Sequence, residues 1–147
     1  MKDAEIKFWE ETGLNIIQQV EEAVEPLIGT RKSGEIVKIG ADGTPTTLID
    51  VVAEKKVVNA LEELERPVFL ISEEIGEVKI GKDPPEAILV VDPLDGTSNA
   101  IKKIPAYGIS IAIAQSSASS QETANLQDVV MGLVKNFATG DLYSGFK

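Results

Sequence analysis

The segment Val91-Asp92-Pro93-Leu94-Asp95-Gly96-Thr97-Ser98-Asn99 carries two carboxylates three positions apart, followed at once by small and hydroxyl residues. An apolar run feeds directly into Asp92, so its carboxylate is expected at the carboxyl end of a strand, where open sheets place ligands. Pro93 stiffens the turn, and Asp95 can point back toward Asp92 with the Leu94 carbonyl between them. Two carboxylates and a carbonyl make a hard-oxygen set suited to magnesium. Gly96, Thr97 and Ser98 then open a short predicted helix through Ile101, and free backbone N–H groups at a helix start bind phosphate. Asp95 can equally serve as a plain helix N-cap, with Asp92 closing the strand.

Two further acidic segments precede this one. In Ile71-Ser72-Glu73-Glu74-Ile75-Gly76, adjacent glutamates end an apolar run and repel each other unless solvent or a cation relieves them. A solvated strand end accounts for the pair by itself. If this strand lies beside the one ending at Asp92, however, Glu73 reaches the same sheet edge and completes a carboxylate cluster. In Ala41-Asp42-Gly43-Thr44-Pro45-Thr46-Thr47-Leu48-Ile49-Asp50, Thr47 and Asp50 form a helix-start pair of the Ser/Thr-x-x-acid kind. A helix start of this kind can also aim its first-turn carboxylate into a site.

The absent residue types narrow the chemistry. Without Cys there are no disulfides, thiolate nucleophiles or Cys-ligated zinc, and without His there is no Ser-His-Asp catalysis or imidazole metal site. Catalysis must run on carboxylates, hydroxyls, lysines, backbone groups and hard metal ions. The net charge of −10 argues against nucleic acid, because no basic stripe exists to neutralise its phosphates. An acidic protein that binds an anionic phosphate ester calls for a divalent cation between the two. No apolar run approaches the roughly 20 residues of a membrane span. The N-terminus lacks a signal-peptide core, so a cytoplasmic location is expected.

The elements that position these groups follow from periodicity. Trp9, Ile16, Ile17, Val20, Val24 and Leu27 keep the rhythm of a buried helix face, ended by Pro26 and Gly29. Residues Thr30 to Thr46 read as a mobile loop or short hairpin. A second helix is predicted from Thr47 to Leu64, with Val52, Ala53, Val57, Ala60, Leu61 and Leu64 on one face. Strands follow: Val68 to Ile71, then a charged turn, and Ala87 to Val91, whose unbroken apolar run suits burial on both faces. Further strands are expected at Gly108 to Ala114, at Val129 to Val134 and after Gly140, with an exposed polar excursion from Gln115 to Asp128. Helices followed by strands predict an α+β layered domain.

The three acidic segments, in this order, resemble the lithium-sensitive, magnesium-dependent phosphatases of the inositol monophosphatase and fructose-1,6-bisphosphatase superfamily. Asp92-Pro93-Leu94-Asp95-Gly96-Thr97 matches that family's Asp-Pro-(Ile/Leu)-Asp-Gly-Thr signature, Glu73-Glu74 its upstream acidic motif, and Asp50 the aspartate opening its second helix. Asp42-Gly43-Thr44-Pro45-Thr46, Ser72-Glu73-Glu74 and Ile104-Pro105 look most like archaeal members, which often act on both inositol 1-phosphate and fructose 1,6-bisphosphate. The resemblance implies two N-terminal helices packed on a largely antiparallel sheet, the first half of a layered αβαβα fold. It implies that Glu73, Asp92, Asp95 and the Leu94 carbonyl hold Mg2+. Asp50 and Thr97 would orient and help deprotonate the attacking water, and Glu74 would support the metal network. The N–H groups of Gly96, Thr97 and Ser98 would grip the phosphoryl oxygens. The Thr30 to Thr46 loop matches a mobile catalytic loop that helps recruit a further magnesium, its catalytic lysine unassigned between Lys32 and Lys38. The implied mechanism is in-line attack by metal-activated water without a phosphoenzyme.

The family also places a metal-ligating aspartate in a Trp-Asp-x-Ala motif in its second half. That motif is missing here, the only tryptophan being Trp9. Residues 1–147 are therefore expected to be the N-terminal α+β domain without its C-terminal partner, and an incomplete part of the enzyme. Inositol phosphate, fructose bisphosphate and nucleotide phosphate stay open as substrates. Relatives are commonly dimers or tetramers, and an open sheet edge would favour a homo-oligomer. Two alternatives stand beside this one. The first is a non-catalytic metal-binding or oligomerisation module of the same fold. The second is a haloacid-dehalogenase-type phosphatase, whose Asp-x-Asp-Gly-Thr motif needs its aspartates one residue closer than Asp92 and Asp95.

Overall fold

A computed structural model of the chain describes residues 1–116 and 124–147. The elements run α1 (Asp3–Val24), short 3-10 turns at Glu25–Leu27 and Lys32–Gly34, β1 (Ile36–Ile39), β2 (Pro45–Thr47) and α2 (Leu48–Glu62). They continue with β3 (Val68–Ser72), β4 (Gly76–Ile80), β5 (Ala87–Asp95), α3 (Thr97–Lys102), β6 (Gly108–Gln115), a 3-10 turn at Leu126–Asp128, β7 (Val129–Asn136) and β8 (Leu142–Phe146).

The expected apolar face of α1 is buried at Trp9, Ile16, Ile17, Val20 and Val24. Pro26, which has no N–H to donate, sits in the 3-10 turn that follows, so the α-helix stops at Val24. On α2 the buried apolar residues are Ile49, Ala53, Val57, Ala60 and Leu61. Val52 and Leu64, expected on that face, are only partly buried.

The main sheet has six strands in the order β4-β3-β5-β6-β7-β8. All neighbours are antiparallel except β3 and β5, which run parallel with Ser72 opposite Val91. β4 carries the chain back toward the start of β3, and the Glu86 N–H donates to the Pro67 carbonyl at 2.8 Å to begin β5 in register. Among the described residues this is an α+β fold with a largely antiparallel sheet.

Cross-strand register explains which sheet face is covered. Leu89, Ile113 and Met131 form one row, and Val91, Ile111 and Leu133 the next. Both rows are buried in a core shared with α1 and α2. The opposite face carries Val90, Ala112 and Gly132 in register, and Val90 is 44% exposed. The expectation that the β5 run is buried on both faces holds at Ile88, which is 3% exposed, and fails at Val90. An apolar run guarantees one covered face, and here the long helices occupy only that one.

One other expectation changes, and the Thr30 to Thr46 segment takes the short-hairpin form of its two expected alternatives. The charged turn after Ile71 is instead a tight loop into β4, an edge strand whose Val78 and Ile80 alternate with Glu77 and Lys79. Thr30 to Thr46 resolves into a 3-10 turn and the β1–β2 hairpin, with Ile36, Val37 and Ile39 exposed. The polar excursion from Gln115 to Asp128 falls largely on residues 117–123, outside the described residues. No helix among the described residues is long and apolar enough to cross a membrane.

At Gly108 of β6 an added β-carbon would lie 1.9 Å from the Lys135 carbonyl oxygen of β7. Gly108→Ala must spread these strands, and overpacking of this kind costs on the order of 2–3 kcal/mol. Urea denaturation should show that loss; unchanged stability would contradict the register described here.

Candidate functional site

The acidic segments meet because β3 and β5 are parallel neighbours. Ser72 lies opposite Val91 in the last β3–β5 pair, so Glu73, just past β3, and Asp92, still paired with Ser110 of β6, come next at the same end. The regular β5–β6 register breaks between Asp92 and Asp95, which lets the chain turn within the strand and bring Asp95 back toward Asp92. The charges of Glu73 and Asp95 both act on Asp92. Burial first, then these two negative neighbours, push the Asp92 carboxyl up to about 7, against the opposing Leu94 N–H.

The turn continues into α3 through Gly96, whose φ is +82°. A β-carbon there would lie 2.5 Å from the Ala106 carbonyl oxygen, so both conformation and space demand glycine. The Asn99 amide closes the far side of this corner by donating to the same carbonyl at 2.8 Å. The first-turn N–H groups at Thr97 and Ser98 have no acceptor within the helix.

Asp50 joins the helix to this corner. Its Oδ2 accepts the Thr47 backbone N–H at 3.0 Å and the Thr47 hydroxyl at 2.6 Å. Its Oδ1 accepts the Thr97 hydroxyl at 2.6 Å, and that hydroxyl also lies 3.1 Å from the Leu94 carbonyl. The helix-capping role and the site-facing role of Asp50 therefore coexist, one on each oxygen. With its proton held by Asp50, the Thr97 oxygen has lone pairs left to accept a proton from water.

Glu74 diverges from Glu73 and faces the hairpin. It accepts the Thr46 hydroxyl, while its backbone carbonyl accepts the Ala41 N–H at 2.8 Å. Burial raises its pKa first, the Thr46 hydroxyl opposes, and the charges of Asp50, Glu73 and Asp42 raise it further. It thus links the hairpin to the acidic corner.

Placement of the expected residues is uneven. Glu73 and Asp95 act on Asp92 through their charges, and Asp50, Thr97 and Leu94 form one bonded set. Gly96 and Ser98 flank Thr97 at the helix start, and Glu74 sits to the hairpin side. A groove of about 590 Å³ runs past Glu73, Asp92 and Ser110 onto the open sheet face. Among the described residues, no three acidic side chains already converge as ligands on one point. The donors fit a divalent cation in kind, since all are hard oxygens and the raised Asp92 pKa reports uncompensated negative charge.

Two participants were not singled out from the sequence, Glu54 and Ser72. Glu54 is 4% exposed on α2, and its Oε2 accepts the Ser72 hydroxyl at 2.8 Å. Burial raises its pKa first, with Ser72 opposing, Glu74 adding to the rise and Lys38 lowering it. The available signal was its spacing, four residues after Asp50 and therefore on the same helix face.

With this geometry in place, the likenesses to known proteins are informative. The model of the inositol monophosphatase family matches residues 4–147. A fructose-1,6-bisphosphatase/inositol-1-monophosphatase of Methanothermobacter thermautotrophicus is 54% identical over all of this chain and 53% of its own length. A bifunctional NADP phosphatase/NAD kinase of Methanococcus maripaludis is 46% identical over 90% of this chain and 24% of its own. The crystal structure of an inositol monophosphatase-fructose 1,6 bisphosphatase superposes with a TM-score of 0.77 at 26% identity, covering 95% of this chain and 49% of that one. The chain thus spans about half the length of the phosphatase it matches at 54% identity. Matched along nearly its whole length by that family's model, the chain belongs to the inositol monophosphatase family.

Proposed function

We propose that this chain supplies the metal-binding and phosphate-binding part of a magnesium-dependent phosphomonoesterase acting on inositol phosphate, fructose 1,6-bisphosphate or both. The names of two relatives, a fructose-1,6-bisphosphatase/inositol-1-monophosphatase and an NADP phosphatase/NAD kinase, support phosphate-ester hydrolysis as the common chemistry. The observation that carries the proposal is the Thr97–Asp50 hydrogen bond beside the Asp92 corner, because it leaves a proton acceptor facing the acids.

Glu73, Asp92, Asp95 and the Leu94 carbonyl would hold Mg2+, with Glu74 supporting that network from the hairpin side. When bound, the cation would lower the pKa of water, neutralise the phosphate and stabilise the leaving alkoxide. The protein's own groups do the rest. A water donates a proton toward the Thr97 oxygen, whose hydroxyl proton rests on Asp50, so the pair orients the attack and draws off charge. The N–H groups of Gly96, Thr97 and Ser98 receive the phosphoryl oxygens at the start of α3. The exposed β8 edge, with Tyr143 and Phe146 open, is consistent with self-association.

Phosphate release from inositol 1-phosphate and from fructose 1,6-bisphosphate tests this directly. Thr97→Ala should lower kcat by roughly 10²–10³-fold, the range for a lost proton-transfer group. Asp92→Asn should abolish the magnesium-dependent rate, and turnover equal to wild type in that variant would refute the site.

Charge linkage gives a second, activity-independent check. Asp92, Glu74 and Glu54 all have raised folded-state pKa values, so the folded chain holds their protons more tightly than the unfolded chain. Their stabilising contributions are complete below the ordinary carboxylate values and decline as pH rises above them, that of Asp92 being lost as pH passes about 7. The metal-free melting temperature should therefore fall across this window, and Mg2+ should raise it more at the upper end than at the lower. A magnesium shift of equal size at both ends would contradict the assignment.

A further inference from the structure

Helix α2 presents two carboxylates to the ends of two different strands. Asp50 and Glu54, one turn apart, share a helix face. Asp50 holds Thr97, just beyond β5, and Glu54 holds Ser72, the last residue of β3. Ser72 immediately precedes Glu73 and is in register with Val91, which immediately precedes Asp92. The Glu54 bond therefore fixes the corner from which Glu73 departs.

Glu54 is unusual on energetic grounds as well. Its Oε1 is buried without a well-formed hydrogen bond, although the Glu74 backbone N–H lies near enough to lower the Glu54 pKa, and such an arrangement costs stability in a folded protein. A glutamine could accept the Ser72 bond without the buried charge. The side chain also lines a cavity of about 220 Å³ with Lys38, Thr46 and Glu74, so it lies between the hairpin and the acidic corner. The Ser72 bond, rather than packing, accounts for a hydrogen-bond acceptor at this buried position.

We propose that Glu54 is a positioning residue that sets divalent-cation affinity by holding Ser72, and through it Glu73, in ligand position beside Asp92. The role rests on the metal reading given under Proposed function and extends it to a residue that touches neither metal nor substrate. Loss of a hydrogen-bonded support behind a metal ligand typically weakens binding about 10–100-fold.

The test is Mn2+ titration of the full chain, with free Mn2+ read by electron paramagnetic resonance and folding checked by thermal melting. Ser72→Ala and Glu54→Leu should each weaken Mn2+ binding by about 10–100-fold. Glu54→Gln, which keeps an acceptor for Ser72, should restore most of the affinity. If Glu54→Leu does not fold, Ser72→Ala decides alone. Saturable wild-type binding that is unaltered in folded Ser72→Ala overturns the positioning role while leaving the metal site intact. A wild-type chain with no saturable Mn2+ binding overturns the metal reading and the positioning role together.

Discussion

Like-charge crowding at one end of a parallel strand pair is the constraint around which this structure is arranged. Two unit charges about 4 Å apart repel by roughly 4 kcal/mol at an effective dielectric near 20, more than a typical net hydrogen bond of about 1 kcal/mol returns. Placing Glu73 and Asp92 at the ends of β3 and β5, with Asp95 folded back beside them, is therefore costly. The fold offsets part of this by pushing the Asp92 pKa up to about 7, so that a proton is retained there more readily. A divalent cation would remove the same penalty more completely.

The surrounding fold supports that crowded corner from behind. The core rows of β5, β6 and β7 lie against α1 and α2, so the strand ends are anchored by a continuous apolar layer. α2 then reaches the corner twice, through Asp50 and through Glu54. Gly96 gives the tight passage from β5 into α3 that a side chain would block. The hairpin joins through Thr46 and Ala41 on Glu74, which couples a peripheral element to the acidic residues. The open face carrying Val90 and Val134 and the β8 edge leave one side of the sheet uncovered, on a chain about half as long as its relative.

Much of this was legible in the residue order, and the exceptions have physical causes. The Asp92 to Ser98 corner could be foreseen because Pro, Gly and a strand-ending acid constrain a turn locally. Thr47 and Asp50 likewise announce a helix start, although only the fold shows that Asp50 also holds Thr97. β4 was hidden because Glu77 and Lys79 interrupt its apolar residues, as expected of an edge strand with one face in water. The exposure of Val90 was hidden because an apolar run reports strand character, not how many sheet faces are covered. Glu54 was missed for the opposite reason: charged helix residues are normally placed in solvent, and its burial depends on Ser72, 18 residues away.

Anomalous scattering from crystals of the full chain grown with Mn2+ measures the central claim most directly. The account predicts an Mn2+ peak at inner-sphere distance, about 2.0–2.3 Å, from carboxylate oxygens of Glu73 and Asp92, with the Leu94 carbonyl or Asp95 completing the shell. A map with Mn2+ bound elsewhere, and no peak between Glu73 and Asp92, would contradict it.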